Sequence, residues 1–328
     1  MSDSSPNVFT GRSAEGRPPP HTPPVWAPER VVSADEAAEL IGEQFAGLRG
    51  APIEPLSTGW DNTVHLVDGT WVFRFPRRAF ALPGVAREIA ALPVLAPRLP
   101  LPVPVPELVG RPTRRFPWPF WGGLLVPGAE LAEAGLSNAA RVGVARGVGA
   151  FLRALHDPGL VAKVEGAELP RDPMRRGDPG VRAPGAREAL ARLDEQGVRA
   201  VDPALDRFLA AAADAPAPSG ADVICHGDLH VRHVLVAGDG TAIGVIDWGD
   251  LCLGDPVVDL SLAYSAFAGP ARAAFLSAYG RPVDADREVA ARVLAVNLST
   301  ALAVYAADIG DARLLAESLA GIDRVLAD

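Results

Sequence analysis

Cysteine is scarce in this sequence: its 328 residues include only Cys225 and Cys252, with no Cys-x-x-Cys pair. Two isolated thiols cannot form a disulfide framework, so the pattern predicts reduced cysteines and a cytoplasmic location. Residues 1–27 lack the apolar segment of a secretory signal. No uninterrupted apolar run approaches the roughly 20 residues that a membrane helix needs. We therefore expect neither secretion nor a membrane partner.

Positive charge is also in deficit. The chain has 31 Lys and Arg residues against 40 Asp and Glu, a formal net charge of −9. A protein that coats nucleic acid needs clustered basic residues to neutralise phosphates, so a nucleic-acid partner is disfavoured. The acidic balance suits a cationic small substrate, although net charge says little about any one pocket. No protein partner is indicated.

The local patterns divide the chain into three parts. Residues 1–27 are rich in Pro, Ser, Gly and Arg, which predicts a disordered tail. Residues 28–125 open with a helix that Ser33 can cap, and continue in short strand-like runs with a hairpin signal at Asp68-Gly69. Residues 126–328 are mainly helical around a small β-rich island. The sequence therefore predicts an α+β protein of two lobes, with a crevice between them that suits a ligand.

Several local features predict where the helices end. A helical pattern in AREIAALPVLA should end or kink at Pro93, because proline lacks the N–H that a helix interior needs. Residues 157–185 hold many Pro, Gly and Arg residues and read as a loop. Helices are expected around residues 186–196 and 203–213.

The segment CHGDLHVRHVL, residues 225–235, concentrates three of the six histidines. His226, His230 and His233 are spaced as on one face of a helix, the arrangement of a His-Glu-x-x-His zinc site. Gly227 and the following Val-Leu-Val disfavour a helix, however, and the segment contains no Glu. A zinc-binding module remains an alternative, as does a polar loop whose histidines bond only to the backbone.

A second aspartate follows downstream. The apolar run AIGVI ends at Asp247, which Trp248 and Gly249 follow. Magnesium-dependent phosphoryl transfer requires one carboxylate to orient the acceptor hydroxyl and hard oxygen ligands for the metal. Protein kinases supply these from H-R-D-L-x-x-x-N and D-F-G. Here the corresponding segments are H-G-D-L-x-x-x-H, from His226 to His233, and Asp247-Trp248-Gly249.

The series HGDLH, IDWGD and GDPVVDL resembles the aminoglycoside phosphotransferase family, a branch of the protein-kinase-like fold that also includes choline and methylthioribose kinases. The resemblance extends from about residue 35 to the C-terminus. It implies a bilobal fold with a β-rich N-lobe and a mainly helical C-lobe. It also implies Mg²⁺-dependent transfer of the γ-phosphoryl group of ATP or GTP to a hydroxyl of a small molecule. That acceptor would be an antibiotic, such as an aminoglycoside or macrolide, or a metabolite.

The resemblance also implies roles for individual residues. Asp228 would be the catalytic carboxylate, which orients the acceptor hydroxyl and accepts its proton. Asp247 and His233 would be the metal ligands. Arg74, on the strand TWVFRFP, would bind the phosphates, and Glu88 would hold Arg74 in place. Strand alternation puts Arg74 on the opposite face from its two phenylalanine neighbours.

Two further segments match the nucleotide-binding parts of the family. Ser57, Thr58 and Gly59 occupy the hairpin that covers the nucleotide and offer hydroxyl and backbone N–H groups to phosphate oxygens. Gly123 and Leu125, in FWGGLLVPG, occupy the inter-lobe linker whose backbone would meet the adenine.

The chain departs from the family pattern at two of these positions. His233 replaces the usual Asn, which leaves three alternatives: a weakly held second metal, better tolerance of Mn²⁺, or a direct contact between a protonated His233 and phosphate. Arg74 replaces the usual Lys but keeps the charge. A catalytically degenerate nucleotide-binding regulator is therefore the alternative function. Asp255 and Asp259, in GDPVVDL, are expected to be structural and to brace the catalytic loop.

Overall fold

The computed structural model describes residues 28–59, 61–220 and 222–327. The tail predicted to be disordered, residues 1–27, lies outside them. The first helix, α1 (Ala34–Gln44), begins where the sequence predicts. Ser33 caps it, because its hydroxyl accepts the N–H of Glu36 at 3.2 Å.

A five-stranded antiparallel sheet follows α1, in the order β1-β2-β3-β5-β4. The strands are β1 (Ile53–Thr58), β2 (Asn62–Val67), β3 (Trp71–Pro76), β4 (Leu108–Gly110) and β5 (Phe120–Leu124). The proline-rich stretch before β4 is extended, as expected, and delivers an edge strand.

The turn between β2 and β3 confirms the hairpin predicted at Asp68-Gly69. Both residues have positive φ angles, 54° and 61°, and the N–H of Thr70 donates to the carbonyl of Val67 at 3.1 Å, which is the geometry of a type I′ turn. In β3, Phe73 and Phe75 are fully buried in an aromatic cluster with Phe120. Arg74 lies on the other face of the sheet, as strand alternation predicts.

Helix α2 (Leu82–Leu95) continues two residues past Pro93, so an end at Pro93, one of the two predicted outcomes, is wrong. A 3₁₀ turn, Ala96–Arg98, follows directly. Ala91, Leu92 and Leu95 pack with the large core of the helical lobe, and not with the aromatic cluster under the sheet. Helix α2 therefore connects the two lobes.

The remaining chain is mainly helical. Its helices are α3 (Val142–Leu155), α4 (Pro179–Glu195), α5 (Pro203–Ala212), α6 (Val257–Leu260), α7 (Leu262–Ser265), α8 (Pro270–Tyr279), α9 (Ala285–Ile309) and α10 (Ala312–Leu326). The predicted β-island is confirmed. It comprises β6 (Ala129–Glu130), β7 (Val223–Cys225), β8 (Val234–Val236), β9 (Ala242–Val245) and β10 (Cys252–Gly254). Strands β6, β8 and β9 form one small sheet, and β7 pairs with β10.

The predicted loop at 157–185 is partly helical. Residues Pro158–Ala167 form 3₁₀ turns, and α4 begins at Pro179 rather than near residue 186. Asp178 caps α4 by accepting the N–H of Gly180 at 2.9 Å. Proline is well tolerated in the first turn of a helix, where no intrahelical donor is needed. The prolines and glycines that predicted a loop here mark a helix start instead.

Two helical segments, Ala79–Arg98 and Ala285–Ile309, are long and apolar enough to cross a membrane by length and composition alone. The second of these is α9, which packs between α4 and α10. A helix in the core of a helical lobe has the same length and composition.

Candidate active site

The loop between β7 and β8 carries the HGDLH motif. Gly227, within it, has a φ of 93°, a conformation that disfavours side chains. A Cβ atom at this position would lie 2.1 Å from the carbonyl oxygen of Asp250. The loop can therefore approach the segment after Asp247 only because residue 227 is glycine. The loop is not helical, as the sequence predicts.

Asp259 braces this loop from below. Its fully buried carboxylate accepts the N–H of His226 at 2.8 Å and that of Gly227 at 3.1 Å. His156 lies beneath, with Nε2 3.1 Å from the same carboxylate. Burial by itself raises the pKa of Asp259, but the hydrogen bond from His156 and its charge hold that pKa below the usual value. Asp259 is thus a structural brace, as expected.

Asp228 projects from the loop beside His230. Its Oδ2 lies 3.7 Å from Nε2 of His230. The other ring nitrogen, Nδ1, accepts the N–H of Arg232 at 3.3 Å, so the proton of His230 resides on Nε2 and faces Asp228. Burial, helped by the neighbouring His233, holds the pKa of His230 well below its usual value. The lowered pKa favours the neutral form of His230, whose ring lies beside the carboxylate of Asp228.

Asp247 follows β9 and faces the same space. Its φ of 67° turns the chain sharply, and its carboxylate is half exposed. His233 joins the two aspartates: Nδ1 donates to the carbonyl oxygen of Asp228 at 2.7 Å, and Nε2 lies 3.3 Å from Oδ2 of Asp247. Burial opposes the charge on both side chains, yet the contact between them raises the pKa of His233 and lowers that of Asp247. Each side chain thus favours the charged form of the other.

Arg74 reaches the same carboxylate from the sheet. Its Nη1 lies 3.4 Å from Oε1 of Glu88 and 3.6 Å from Oδ1 of Asp247. Its guanidinium also lies over the ring of Trp121, 5.5 Å from the centroid. The indole N–H of Trp121 donates to Oε2 of Glu88 at 3.1 Å. The structure thus brings Arg74, Glu88 and Asp247 together.

Helix α2, which carries Glu88, packs against the segment Asp247-Trp248-Gly249. A Cβ atom on Gly84 would lie 2.7 Å from the carbonyl oxygen of Gly249, so the helix N-terminus rests directly on the Asp-Trp-Gly segment. Arg87 donates to the same carbonyl at 3.0 Å. Trp248, fully buried, packs against the ring of His226 at 4.7 Å between centroids. These contacts fix the carboxylate of Asp247 relative to both lobes.

Burial raises the pKa of Glu88 from about 4.5 to about 7, against the opposing effect of Arg74. A raised carboxylate pKa lowers stability progressively as pH rises from the unfolded value to the folded one. We expect Glu88→Gln, whose carbonyl can still accept from Trp121, to raise the unfolding free energy by roughly 1–3 kcal/mol at pH 8 and to change little at pH 4. Urea unfolding at both pH values measures this, and a variant less stable than the wild type at pH 8 would contradict it.

The residues predicted to cover the nucleotide lie at the tip of the first hairpin. Ser57 and Thr58 end β1 with exposed side chains, and Gly59 closes the turn by donating its N–H to the carbonyl of Asn62 at 3.0 Å. Arg78 bonds to Asp61 and ties the tip to the end of β3. The hydroxyl groups of this tip remain accessible to a ligand.

The predicted linker residues lie at the end of β5. Gly123 is in close contact with the chain before β4, since a Cβ atom there would lie 2.2 Å from the carbonyl oxygen of Val105. The N–H of Leu125 donates to the carbonyl of Thr70 at 2.8 Å, so this donor is already bonded. The side chain of Leu125 is partly exposed.

The family resemblance implies that Asp247 and His233 bind Mg²⁺. Mg²⁺ is usually held by one or two carboxylates together with substrate phosphates and waters. The half-exposed carboxylate of Asp247 fits this pattern. His233 does not, because it offers nitrogen rather than oxygen and both its ring nitrogens already face oxygen atoms.

The described residues contain two clusters with the spacing of a metal site: His156, Cys225 and Asp259, and Asp228, His230 and His233. In the first, the thiol of Cys225 is buried, and burial raises its pKa well above the usual value, which keeps it protonated. The second coincides with the catalytic loop described above. Neither has the helical geometry of the zinc site considered from the sequence.

Sequence reasoning missed two contributors. Arg176, in the segment read as a loop, lies 3.2 Å from Oδ1 of Asp228 and 2.7 Å from Oδ2 of Asp250. Trp121 supplies the indole that bonds Glu88. No local signal marks Arg176, since it lies 52 residues before the aspartate that it contacts.

Known proteins share the sequence and the fold of this chain. A model of the phosphotransferase enzyme family matches residues 52–292. The viomycin phosphotransferase of Streptomyces vinaceus is 31% identical over 246 residues, which cover 73% of this chain and 81% of that protein. The GDP and kanamycin complex of APH(2″)-IIIa is 21% identical, with a TM-score of 0.63 over 88% of this chain and 97% of that one. The macrolide 2′-phosphotransferase MphH of Brachybacterium faecium is 25% identical, with a TM-score of 0.57 over 90% and 99%.

These structural matches extend over both lobes, so the predicted α+β, protein-kinase-like fold is confirmed. The family model spans the segments that carry Arg74, Asp228 and Asp247. The resemblance that the HGDLH and IDWGD motifs indicate is confirmed as well. The chain belongs to the phosphotransferase enzyme family.

Proposed function

We propose that this chain transfers the γ-phosphoryl group of ATP or GTP to a hydroxyl group of a small molecule, an antibiotic in the first instance. The observation that carries the proposal is the convergence of Asp228, Asp247 and Arg74 on one space between the lobes. His233 joins the two aspartates, and Arg74 lies 3.6 Å from Asp247. Phosphoryl transfer needs this combination of an orienting carboxylate, an oxygen ligand for metal and a cation for the phosphates.

Asp228 acts on the acceptor in this scheme. Its carboxylate is partly exposed and can accept the hydrogen bond of an incoming hydroxyl. That bond aims the hydroxyl oxygen at the γ-phosphorus. As the new O–P bond forms, the bond from the γ-phosphorus to the bridging oxygen breaks and the nucleoside diphosphate leaves, while Asp228 accepts the proton of the hydroxyl. The ring of His230 lies beside this carboxylate, with Nε2 3.7 Å from Oδ2.

Arg74 acts on the nucleotide. As the third-strand cation it binds the α- and β-phosphate oxygens, and Glu88 holds its guanidinium at the right height. The chain has one lysine only, Lys163, which lies on the exposed surface of the helical lobe. Arg74 therefore takes the role that lysine has elsewhere in the family.

Mg²⁺, when bound, neutralises phosphate charge and stabilises the charge that develops during transfer. Asp247 would hold it, and His233 would orient Asp247 rather than bind the metal. Ser57, Thr58 and Gly59 would cover the phosphates, and Gly123 and Leu125 would line the adenine site, with Leu125 using groups other than its bonded N–H.

We also propose residues 28–125 as the nucleotide-binding lobe and 126–328 as the acceptor lobe. The aromatic cluster under the sheet supports the first assignment, and the large helical core supports the second. Helix α2 belongs to the first by chain order but packs partly in the second, so it couples nucleotide binding to the catalytic loop.

The acceptor class is tested by a panel. Net charge suits a cationic antibiotic, and relatives are named for viomycin and for macrolides. Asp228, in the catalytic loop, is however paired with Arg176, and Glu130, beside the loop, is paired with Arg232. These pairs reduce the capacity of the two carboxylates to bind ammonium groups.

Viomycin, kanamycin, a macrolide and hydroxylated metabolites should therefore all be incubated with Mg²⁺ and ATP or GTP. Nucleotide binding without turnover on any of them would favour the degenerate regulator.

The exchange His233→Asn tests why this chain departs from the family pattern. Asparagine would place an amide oxygen beside Asp247 and remove the imidazolium that competes with the metal. We expect the Mg²⁺ concentration for half-maximal activity to fall by roughly tenfold. Isothermal titration calorimetry with Mg²⁺ in the presence of nucleotide gives a binding curve that does not depend on activity. An unchanged or higher Mg²⁺ requirement would contradict the assignment.

A further inference from the structure

Arg176 is the one strongly basic side chain that bonds the catalytic carboxylate among the described residues. Its Nη2 lies 3.2 Å from Oδ1 of Asp228 and 2.7 Å from Oδ2 of Asp250. The side chain of Arg176 is largely buried, at 13% exposed. One guanidinium nitrogen thus ties Asp228 to a second carboxylate that follows the metal-binding segment.

The backbone around Arg176 is built to hold it there. The carboxylate of Asp172 accepts the N–H groups of Arg176 and Gly177, both at 2.8 Å. The N–H of Asp172 in turn donates to the carbonyl of Leu253, in β10, at 2.7 Å. The turn is therefore anchored on the strand that begins two residues after Asp250, so Arg176 and its two partners move together.

Among the described side chains, Arg176 is the one that donates a hydrogen bond to the carboxylate of Asp228, at Oδ1. The other oxygen, Oδ2, lies 3.7 Å from Nε2 of His230, beyond hydrogen-bond distance. Each carboxylate oxygen has a second lone pair, so the acceptor hydroxyl can still bind. The hydrogen bond from Arg176 therefore restrains the carboxylate against rotation about its Cβ–Cγ bond, and the ring of His230 limits the space on the other side.

We propose that Arg176 is a positioning residue for the phosphoryl transfer reaction. It holds the carboxylate of Asp228 in the orientation that aims the acceptor hydroxyl, and Asp250 anchors the guanidinium from the far side. This inference rests on the proposed function. It differs from an autoinhibitory contact, in which Arg176 would block Asp228 and its loss would increase the rate.

Four variants test it: Arg176→Ala, Arg176→Lys, Asp250→Asn and the double variant Arg176→Ala/Asp250→Asn. Arg175→Ala is the matched control, since Arg175 is the adjacent, exposed arginine and pairs with Asp178 instead. Each is assayed for kcat and KM with an antibiotic that the wild type phosphorylates, for ATP hydrolysis without acceptor, for MgATP binding by calorimetry, and for thermal unfolding.

We expect Arg176→Ala to lower kcat by roughly 10- to 100-fold with unchanged MgATP affinity and a folded protein. Lysine should restore part of the loss, Asp250→Asn should cost less, and the double variant should be no slower than Arg176→Ala alone. Arg175→Ala should match the wild type. A wild-type or faster rate for Arg176→Ala, or equal losses of kcat and MgATP affinity, would overturn the positioning role.

The failure of the proposed function has a different signature. In that case the wild type itself neither phosphorylates an acceptor nor hydrolyses ATP above the level of an Asp228→Asn variant, which overturns both assignments. A fully active wild type with an equally active Arg176→Ala overturns only the inference about Arg176.

Discussion

Replacing Asp228 with asparagine is expected to lower kcat for phosphoryl transfer by about 10³-fold, in the range for loss of a positioned acid–base group. Asparagine keeps the size and the hydrogen bond that Arg176 donates to Oδ1. It removes the negative charge that draws the acceptor hydroxyl and can take its proton. The nucleotide contacts are assigned to Arg74 and Asp247, which this change leaves in place, so MgATP affinity and thermal stability should stay at wild-type values.

The matched control is Asp214→Asn, which makes the same chemical exchange at an exposed residue just after α5. It should leave kcat, KM and the unfolding midpoint unchanged. Steady-state kinetics with a phosphorylated acceptor and calorimetry with MgATP provide the measurements. An Asp228→Asn enzyme within a few-fold of the wild type would remove Asp228 from the mechanism.

Asp247→Asn should cause the second large loss, again about 10²- to 10³-fold in kcat. Asparagine is the appropriate exchange here because Asp247 has a φ of 67°, a conformation that Asn adopts more readily than Ala. The change removes the charge that binds Mg²⁺ but spares the backbone turn. It also leaves His233 and Arg74 without their common anionic partner.

The signature of Asp247→Asn should differ from that of Asp228→Asn. Added Mg²⁺ should restore part of the activity of Asp247→Asn, since a weakened site still fills at high concentration, and should do nothing for Asp228→Asn. Binding of ATP in the absence of Mg²⁺ should be retained or strengthened, because Arg74 is freed from Asp247. If the two variants respond identically to Mg²⁺, the division of roles between the two aspartates is wrong.

Local chemistry made much of the fold predictable. The Ser33 cap, the Asp68-Gly69 turn and the alternation around Arg74 each depend on a few neighbouring residues, and the structure has each of them. The HGDLH and IDWGD motifs predicted the roles of the two aspartates through their resemblance to the family. Both motifs are short runs of neighbouring residues, so they can be read from the sequence.

The errors have a common physical origin. Proline breaks helices in isolation, yet Pro179 begins α4, and Pro184 and Pro93 lie inside α4 and α2. Tertiary packing overrides the local propensity at these positions. Arg176 was missed because its role depends on a turn anchored to a distant strand by Asp172. Charge pairing of this kind is a property of the folded chain, and no single-sequence pattern carries it.

The most direct measurement is the mass of the acceptor after incubation with the wild-type enzyme, Mg²⁺ and ATP or GTP. The proposed function predicts that at least one antibiotic gains the mass of one PO₃H group, in equal amount to the nucleoside diphosphate formed. The gain should disappear with Asp228→Asn. If the nucleotide binds but no acceptor across the panel changes mass, and no diphosphate forms beyond the level of Asp228→Asn, the chain is not a phosphotransferase acting on those molecules.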